Sequence, residues 1–486
     1  MRSFSIIALL LWVAVSATAQ NEADIQRYTN LQIPGTARFA SLGGAFTALG
    51  GDMSAMHINP ASIGVFRFNE LSFTPLIETT TVNTSLYGTS SSGSNTGFAV
   101  ANAGLVLVSE VDDPYWRSVN IGFSINRLNT FNDELVSQGA VPLQNSLMQS
   151  FLNEAEGFTL DQLNNFGAGP AYDASVINLV NDASYVGRVT EGEMNQSQVT
   201  RRSGRMNDFA ITVGGNYDDK LYVGAGVGFV SSYYEVRNEI TESPTLPITT
   251  DLVRYRYSED LVVEGFGLNL SLGFIYKTAS GFRVGGSIQT PTTLRLQDVY
   301  RTDVQSFFRD PDETLDSSTN EDFLEYRIRT PWRYSLGVAG VINSKAILTA
   351  QYEFVNFSGG RFLPANRRSG NISPNMEFAN DLVIEEFRAQ HIFRGGIEFR
   401  LTKSLMARGG VAYFPNVIPF NEQSINGNLN RIQLGGGVGY RKAAWNLDLS
   451  YTHARVHEPY LASGAGPVQE LRNTFGMLSL TLGIRL

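Results

Sequence analysis

Cysteine is absent from all 486 residues, and histidine occurs only four times. Without disulfide staples, an exported chain must draw its stability from a large core or from closure of a sheet. Beyond the first nineteen residues, no stretch approaches the ~18 consecutive apolar residues of a membrane helix, which excludes a helical bundle spanning a bilayer. The net charge of −9 excludes a nucleic-acid partner and says little else. There is no Gly-x-Ser-x-Gly elbow, no His-Glu-x-x-His pair and no phosphate loop, so no catalytic residue, cofactor or metal ion is expected. His453 and His457 would make a ligand pair only on a helix. In a strand, four residues span about 13 Å, too far for one ion. His57 and His391 stand alone in the sequence, and Glu385-Glu386, read as strand, point to opposite faces.

The one early apolar run has the build of a secretory signal. Arg2 is followed by the apolar stretch Ile6 to Val15 and by Ala17-Thr18-Ala19, which places cleavage before Gln20. Residues 1–19 are therefore set aside. The alternative, an uncleaved helix, falls short of the roughly twenty apolar residues that an anchor needs.

What the sequence does have is 47 glycines, 30 phenylalanines and 20 tyrosines, a balance that favours strands. Trp445, Leu447, Leu449 and Tyr451 alternate with Asn446, Asp448, Ser450 and Thr452. Leu478, Leu480, Leu482, Ile484 and Leu486 alternate with Ser479, Thr481, Gly483 and Arg485. The same two-faced pattern recurs at 119–126 and 348–354 and runs on for about 400 residues, as expected of a wall between lipid and an aqueous lumen. Strands are placed near 69–81, 96–110, 116–130, 193–217, 221–241, 250–276, 281–302, 322–343, 345–357, 382–402, 404–414, 428–442, 444–456 and 471–486, about fourteen in all. Every second connection is short, at 112–114, 218–219, 279–280, 344, 403 and 443, and the others are long and polar. That alternation is the pattern of outer-membrane barrels, with short turns in the periplasm and long loops outside. The expected fold is thus an all-β transmembrane antiparallel barrel of about fourteen strands over residues 69–486, with both termini periplasmic.

Two regions break the pattern. Residues 20–68 hold Leu31, Ile33, Phe39, Leu42, Phe46, Leu49, Met53 and Met56 and are too apolar for a disordered tail. Such a segment needs burial, either as a plug in the lumen or as a flap on the barrel rim. Residues 131–192 form a long insertion in which Leu143, Leu147, Phe151 and Ala155 recur every four positions with Met148 and Leu152 beside them, the spacing of a short amphipathic helix. A second helix is expected from Asp173 to Asp182.

The run from Ala40 to Ser62, containing Gly43-Gly44-Ala45, Asp52, Ala55 and Asn59-Pro60-Ala61, resembles the N-terminal signature of the FadL/TodX outer-membrane transporters of hydrophobic compounds. Segments 331–337, 350–354, 394–398 and 407–413 are similar to late strands of that family, whereas 131–195 matches nothing, and the chain ends in Leu486 where many such barrels end in an aromatic residue. The resemblance implies that residues 20–68 are a hatch plugging the barrel, with Gly43, Gly44, Asp52, Asn59 and Pro60 as plug and gating residues. It implies that the insertion offers an extracellular groove lined by Leu143, Leu147, Met148, Phe151 and Leu152, where an apolar ligand lands. The competing view of these side chains is a self-packed lid without ligand.

The function expected is passive uptake of small hydrophobic molecules, long-chain fatty acids or aromatic hydrocarbons, by a monomer gated by its plug. Its partners would be outer-membrane lipid, the hydrophobic ligand and the outer-membrane barrel assembly machinery. The alternative is a non-transporting barrel subunit of a secretion or surface-assembly machine. An apolar lumen would favour the first, and a charged one the second.

Overall fold

The computed structural model describes residues 22–246, 250–310, 312–366, 373–418, 430–461 and 468–486. The signal expected at 1–19 lies outside them.

Fourteen antiparallel strands follow one another around a closed sheet. They are β1 (Glu70–Leu86), β2 (Thr89–Glu110), β3 (Trp116–Thr130), β4 (Glu193–Tyr217), β5 (Leu221–Pro244), β6 (Leu252–Lys277) and β7 (Arg283–Gln289 continued by Thr293–Phe308). After these come β8 (Asp322–Arg329 continued by Arg333–Ile342), β9 (Ala346–Asn356 continued by Arg361–Pro364), β10 (Ala389–Arg400), β11 (Leu405–Phe414), β12 (Arg431–Arg441), β13 (Trp445–Leu461) and β14 (Val468–Arg485). β14 returns to β1, with Glu70 opposite Arg485, so every ladder is paired and the sheet has no open edge. The breaks in β7 and β8 face each other, because Pro291 and Pro331 each withhold an N–H from the ladder. Thr330 N donating to Thr292 O at 3.0 Å closes the gap.

The wall is inverted relative to a water-soluble protein. Leu478, Leu480, Leu482 and Ile484 are exposed on the outside, while Ser479 and Thr481 are buried within. Leu447, Leu449 and Tyr451 likewise face out against buried Asp448, Ser450 and Thr452. On β6 the outward side chains are apolar without a break over Phe266, Leu268, Leu270, Leu272, Phe274 and Tyr276. Those eleven positions are what one tilted strand needs to cross the hydrocarbon layer. Farther along, the outside of the wall is charged, and Asp260 pairs with Arg237 at 2.7 Å and Arg301 at 2.8 Å. β4, β5 and β6 are 25, 24 and 26 residues long, so they rise well beyond the apolar band. Aromatic side chains gather near the short turns, with Tyr115 stacked on Tyr217 at 5.7 Å and Tyr440 beside Trp445 at 5.6 Å, the placement expected at a membrane interface.

The turns follow from local chemistry. Asp218 and Asp219 both adopt positive φ, as do Asn343 and Ser344, the pair of left-handed residues that a two-residue hairpin requires. Tyr87 and Gly88 make a third such turn, at the opposite end of the barrel. This corrects the reading of 82–95 as a long polar connection. The Ser- and Thr-rich segment continues β1 and β2 in register, with Thr81 opposite Ser94 and Ser85 opposite Ser90.

Two further expectations are corrected. Residues 382–386 are helical: Ser373 caps Pro374–Glu386 by accepting from Met376 N, and Glu385 and Glu386 close that helix. The strand begins only at Ala389. Helix also fails to form from 173 to 182, where Ile177–Asn181 and Ser184–Gly187 make a small hairpin instead. The insertion after β3 begins with one more strand, Asp133–Pro142, which pairs with β4.

Candidate functional site

The N-terminal segment carries three helices, α1 (Glu22–Thr29), α2 (Ala37–Ser41) and α3 (Ala55–Ile58). Thr36 starts α2 by accepting from Phe39 N, and Asp52 staples the segment to itself by accepting from Thr36 Oγ1 at 2.7 Å and Ser54 N at 2.9 Å. Almost every residue from 34 to 64 is buried, and the surrounding partners come from strands on all sides. Ala37 N donates to Thr481 Oγ1 on β14, and Phe46 N and Thr47 N donate to Gln351 Oε1 on β9. Ser287 Oγ on β7 donates to Ile58 O, and Asn120 Nδ2 on β3 donates to Ile63 O. A peptide that reaches β3, β7, β9 and β14 at once lies across the inside of the barrel.

The residues of the glycine-rich run take distinct places there. Gly43 has φ +65°, and a Cβ on it would meet Val411 O at 2.6 Å, so the position needs glycine for conformation and for space. Gly44 lies against the Phe39 ring. Asn59 Nδ2 donates to Thr47 O at 2.6 Å and to Phe274 O at 3.1 Å, while its Oδ1 accepts from Ala61 N. A Cβ on Gly273 of β6 would fall 1.9 Å from that Oδ1. Pro60 rests on β5 at Gly224. Gly43, Gly44, Asn59 and Pro60 thus sit where segment and wall touch, whereas the contacts of Asp52 are made within the segment.

Charge completes the attachment. Arg38 of α2 reaches Glu398 of β10 at 2.9 Å, and Glu398 in turn holds Arg408 at 2.7 Å, which pairs with Asp448 at 2.5 Å. Glu353 of β9 holds Arg333 at 2.8 Å and Arg394 at 2.5 Å, and Arg333 donates to Thr29 O. Sequence reading found no role for these groups, because isolated charges on separate strands carry no spacing signal.

Cavities flank the segment at both ends. At the short-turn end, a pocket of about 280 Å³ is lined by Arg38, Arg67, Arg283, Arg441 and Arg485 with one carboxylate, Glu70. Toward the long loops lies a chamber of about 630 Å³ between α1 and the upper wall. Nine of its lining residues are Asn or Gln and five are aromatic, among them Phe131, Tyr234 and Phe414. Beside it, α1 packs on α6 (Pro374–Glu386) in a cluster that includes Ile25, Tyr28, Phe362 and Val383.

The proposed landing groove is not open. In the insertion, α4 (Leu147–Ala155) is capped by Ser146 and packs on α5 (Ala168–Asp173). Leu147, Met148 and Phe151 are buried against Ile240, Leu252, Tyr255 and Tyr257, with Leu143 and Leu152 partly buried at the edge of the same cluster. The apolar stripe that suggested a ligand surface is satisfied by the tall extensions of β5 and β6. Glu242 anchors the contact, accepting from Leu147 N and Gln196 Nε2 at 2.8 Å each and from Tyr255 OH. Among the described residues no group of three or more His, Asp or Glu could hold a metal ion.

Lipid-facing wall, polar lumen and internal N-terminal segment together define a membrane-spanning β-barrel. The Pseudomonas putida toluene transporter TodX has the same fold, with TM-score 0.52 and 14% identity over 93% of this chain and 98% of that one. A Pseudomonas aeruginosa FadL homologue gives 0.56 at 12% identity, covering 94% and 99%, and the Ralstonia pickettii toluene transporter TbuX 0.51 at 16% identity, also covering 94% and 99%. Residues 11–110 match a family described as Uncharacterised protein family (UPF0164). No curated protein sequence matches.

Proposed function

We propose that the chain is an outer-membrane channel through which small, largely apolar molecules pass down their gradient, with residues 20–68 as its plug. The observation that carries this reading is the chamber of about 630 Å³ between the N-terminal segment and the loop end of a lipid-facing barrel. The structural likeness to TodX, TbuX and the FadL homologue supports it. A ligand held back by the polysaccharide coat would enter when the α4–α5 lid loosens, rest in the chamber, and leave past the plug. Both termini would lie in the periplasm, the signal at 1–19 would be removed, and insertion would depend on the barrel assembly machinery. The protein would act as a monomer and without a cofactor.

The charged and amide-rich lumen favours a second reading, a barrel that serves a secretion or surface-assembly machine without transporting anything. Swelling or uptake assays in liposomes holding the purified protein separate the two. Ligand-dependent uptake of butylbenzene or 4-butylphenol above protein-free vesicles supports the channel. Uptake equal to protein-free vesicles rejects it.

A further inference from the structure

We infer that the pocket at the short-turn end is a binding site for a phosphate dianion, presented by a small organic phosphate monoester dissolved in the water at that end. The inference goes beyond the channel reading and holds whether or not the barrel transports.

The charge of the pocket comes from the ends of three strands. Alternation turns Arg283 of β7, Arg441 of β12 and Arg485 of β14 to the inside of the sheet, on the faces that bury Gly285, Gly439 and Thr481. Arg441 is exposed and the other two are half-buried, so solutes reach all three. Of the five arginines lining the pocket, Arg38 is neutralised by Glu398 at 2.9 Å and Arg67 by Asp219 at 2.5 Å. Arg283 donates to Leu49 O at 2.5 Å and Arg485 to Ala443 O at 3.4 Å, both uncharged acceptors. The Arg441 side chain has no hydrogen-bond or ion-pair partner among the described residues. Three guanidinium charges thus face one lining carboxylate, Glu70, which leaves an excess of two.

Like charges gathered in a concave space raise the local concentration of anions, and the guanidinium fork matches the two-oxygen edge of a phosphate. A phosphate monoester carries close to two negative charges near neutral pH, which balances the excess. A carboxylate or a phosphodiester carries one and would leave half of it. The rest of the lining points to what carries the phosphate. Leu49, Val65, Phe66 and Ile347 form apolar walls beside the arginines, so a compact apolar body gains contact that inorganic phosphate lacks. The pocket lies within the closed sheet and membrane lipid lies outside it, which favours a dissolved ligand over a lipid headgroup.

The test uses the full chain in phosphatidylcholine discs with chloride as the buffer anion, and calorimetry with phenyl phosphate, inorganic phosphate and benzoate. Phenyl phosphate should bind most tightly and benzoate least. Arg441→Gln should weaken phenyl phosphate roughly tenfold or more, the worth of one charge-assisted hydrogen bond. Lys442→Gln removes the same charge from the next residue, whose amine lies beside the Trp445 ring and not in the pocket, and should leave the affinity as it was. If Arg441→Gln does not fold, Arg283→Gln, which keeps a donor for Leu49 O, takes its place. Failure of both phosphates to bind the wild-type chain, tightest binding of benzoate, or equal losses in the arginine variant and Lys442→Gln would each overturn the site. Discs containing phosphatidylglycerol separate the two sources of phosphate. Affinity for phenyl phosphate that persists there supports the dissolved ligand, and its abolition overturns that source in favour of a lipid headgroup. None of these outcomes bears on uptake by liposomes, so the site and the channel reading fail separately.

Discussion

His57 at the end of α3 lies with its Nδ1 2.7 Å from Oδ2 of Asp208 on β4, and both side chains are buried between the N-terminal segment and the wall. This pair fixes the segment on the side of the barrel opposite to the Arg38–Glu398 ion pair. Replacing Asp208 with Leu leaves the imidazole buried without its partner, which should cost about 1 to 3 kcal/mol. Combining it with His57→Leu should recover part of that loss, because both polar groups are then gone. Urea titration of the barrel in detergent, followed by tryptophan emission, would show the coupling, and additive losses would contradict it.

Removing residues 21–57 should leave a closed barrel, since β1 to β14 pair without the segment. Conductance in planar bilayers should rise, because the filler of the lumen is gone while the wall is unchanged. A deletion variant that runs as a folded, heat-modifiable band yet conducts as the full chain does would show that the lumen is closed by something else.

A subtler opening is expected from Gly273→Ala. The new Cβ would fall on Asn59 Oδ1, and the segment, fastened by hydrogen bonds, has to give way before the sheet does. Conductance should rise less than in the deletion. Adding Asn59→Ala should return it toward the original value, because the clashing amide is removed.

The lid should respond to loss of its core. Leu147→Ala or Phe151→Ala removes a buried side chain from the α4 cluster, with a local cost of about 2 to 5 kcal/mol. Hydrogen exchange across residues 143–192 should quicken while exchange in β10 to β14 stays as it was. Quickened exchange throughout the barrel would mean that lid and wall unfold as one unit.

Topology can be read on intact cells. An epitope at Gly359, in the break between the two parts of β9, should be reached by antibody from outside, whereas one at Asp218 should not. Asn426, which the sequence places in another external loop, lies outside the described residues. Labelling of Asp218 from outside would reverse the orientation given to the barrel.

Much of the wall was legible because its signal has period two. Leu478 to Ile484 and Trp445 to Tyr451 declare their outward face residue by residue, and the paired turn residues at 218–219 and 343–344 mark where the chain reverses. The Ser- and Thr-rich tip of β1 and β2 was misread because its side chains are polar on both faces, above the lipid where neither face needs to be apolar. The stretch Leu382 to Ile384 reads as strand on composition, yet Ser373 and Pro374 had already begun a helix eight residues earlier. Leu147, Met148 and Phe151 were recognised as one face of a helix. What the face meets could not be seen, because Tyr255 and Tyr257 lie about a hundred residues away on an extension of β6 that looks like any other strand. The Asn59-Pro60 contact was visible only as a resemblance, since its partners, Gly224 and Gly273, have no side chain to advertise them.

Those glycines invert the usual map of what a protein tolerates. In a water-soluble fold the surface accepts almost any residue and the interior selects for oiliness and size. Here the outside of β6 asks only that Leu268, Leu270 and Leu272 be apolar, and lipid, being fluid, adapts to whichever apolar shape is offered. The inner wall at Gly273 and Gly410 has no room for a single methyl group, since a Cβ on Gly410 would lie 2.3 Å from the backbone of Leu42. Random substitution should therefore be forgiven on the greasy exterior and rejected at a ring of bare backbone inside, where two stretches of main chain are pressed together.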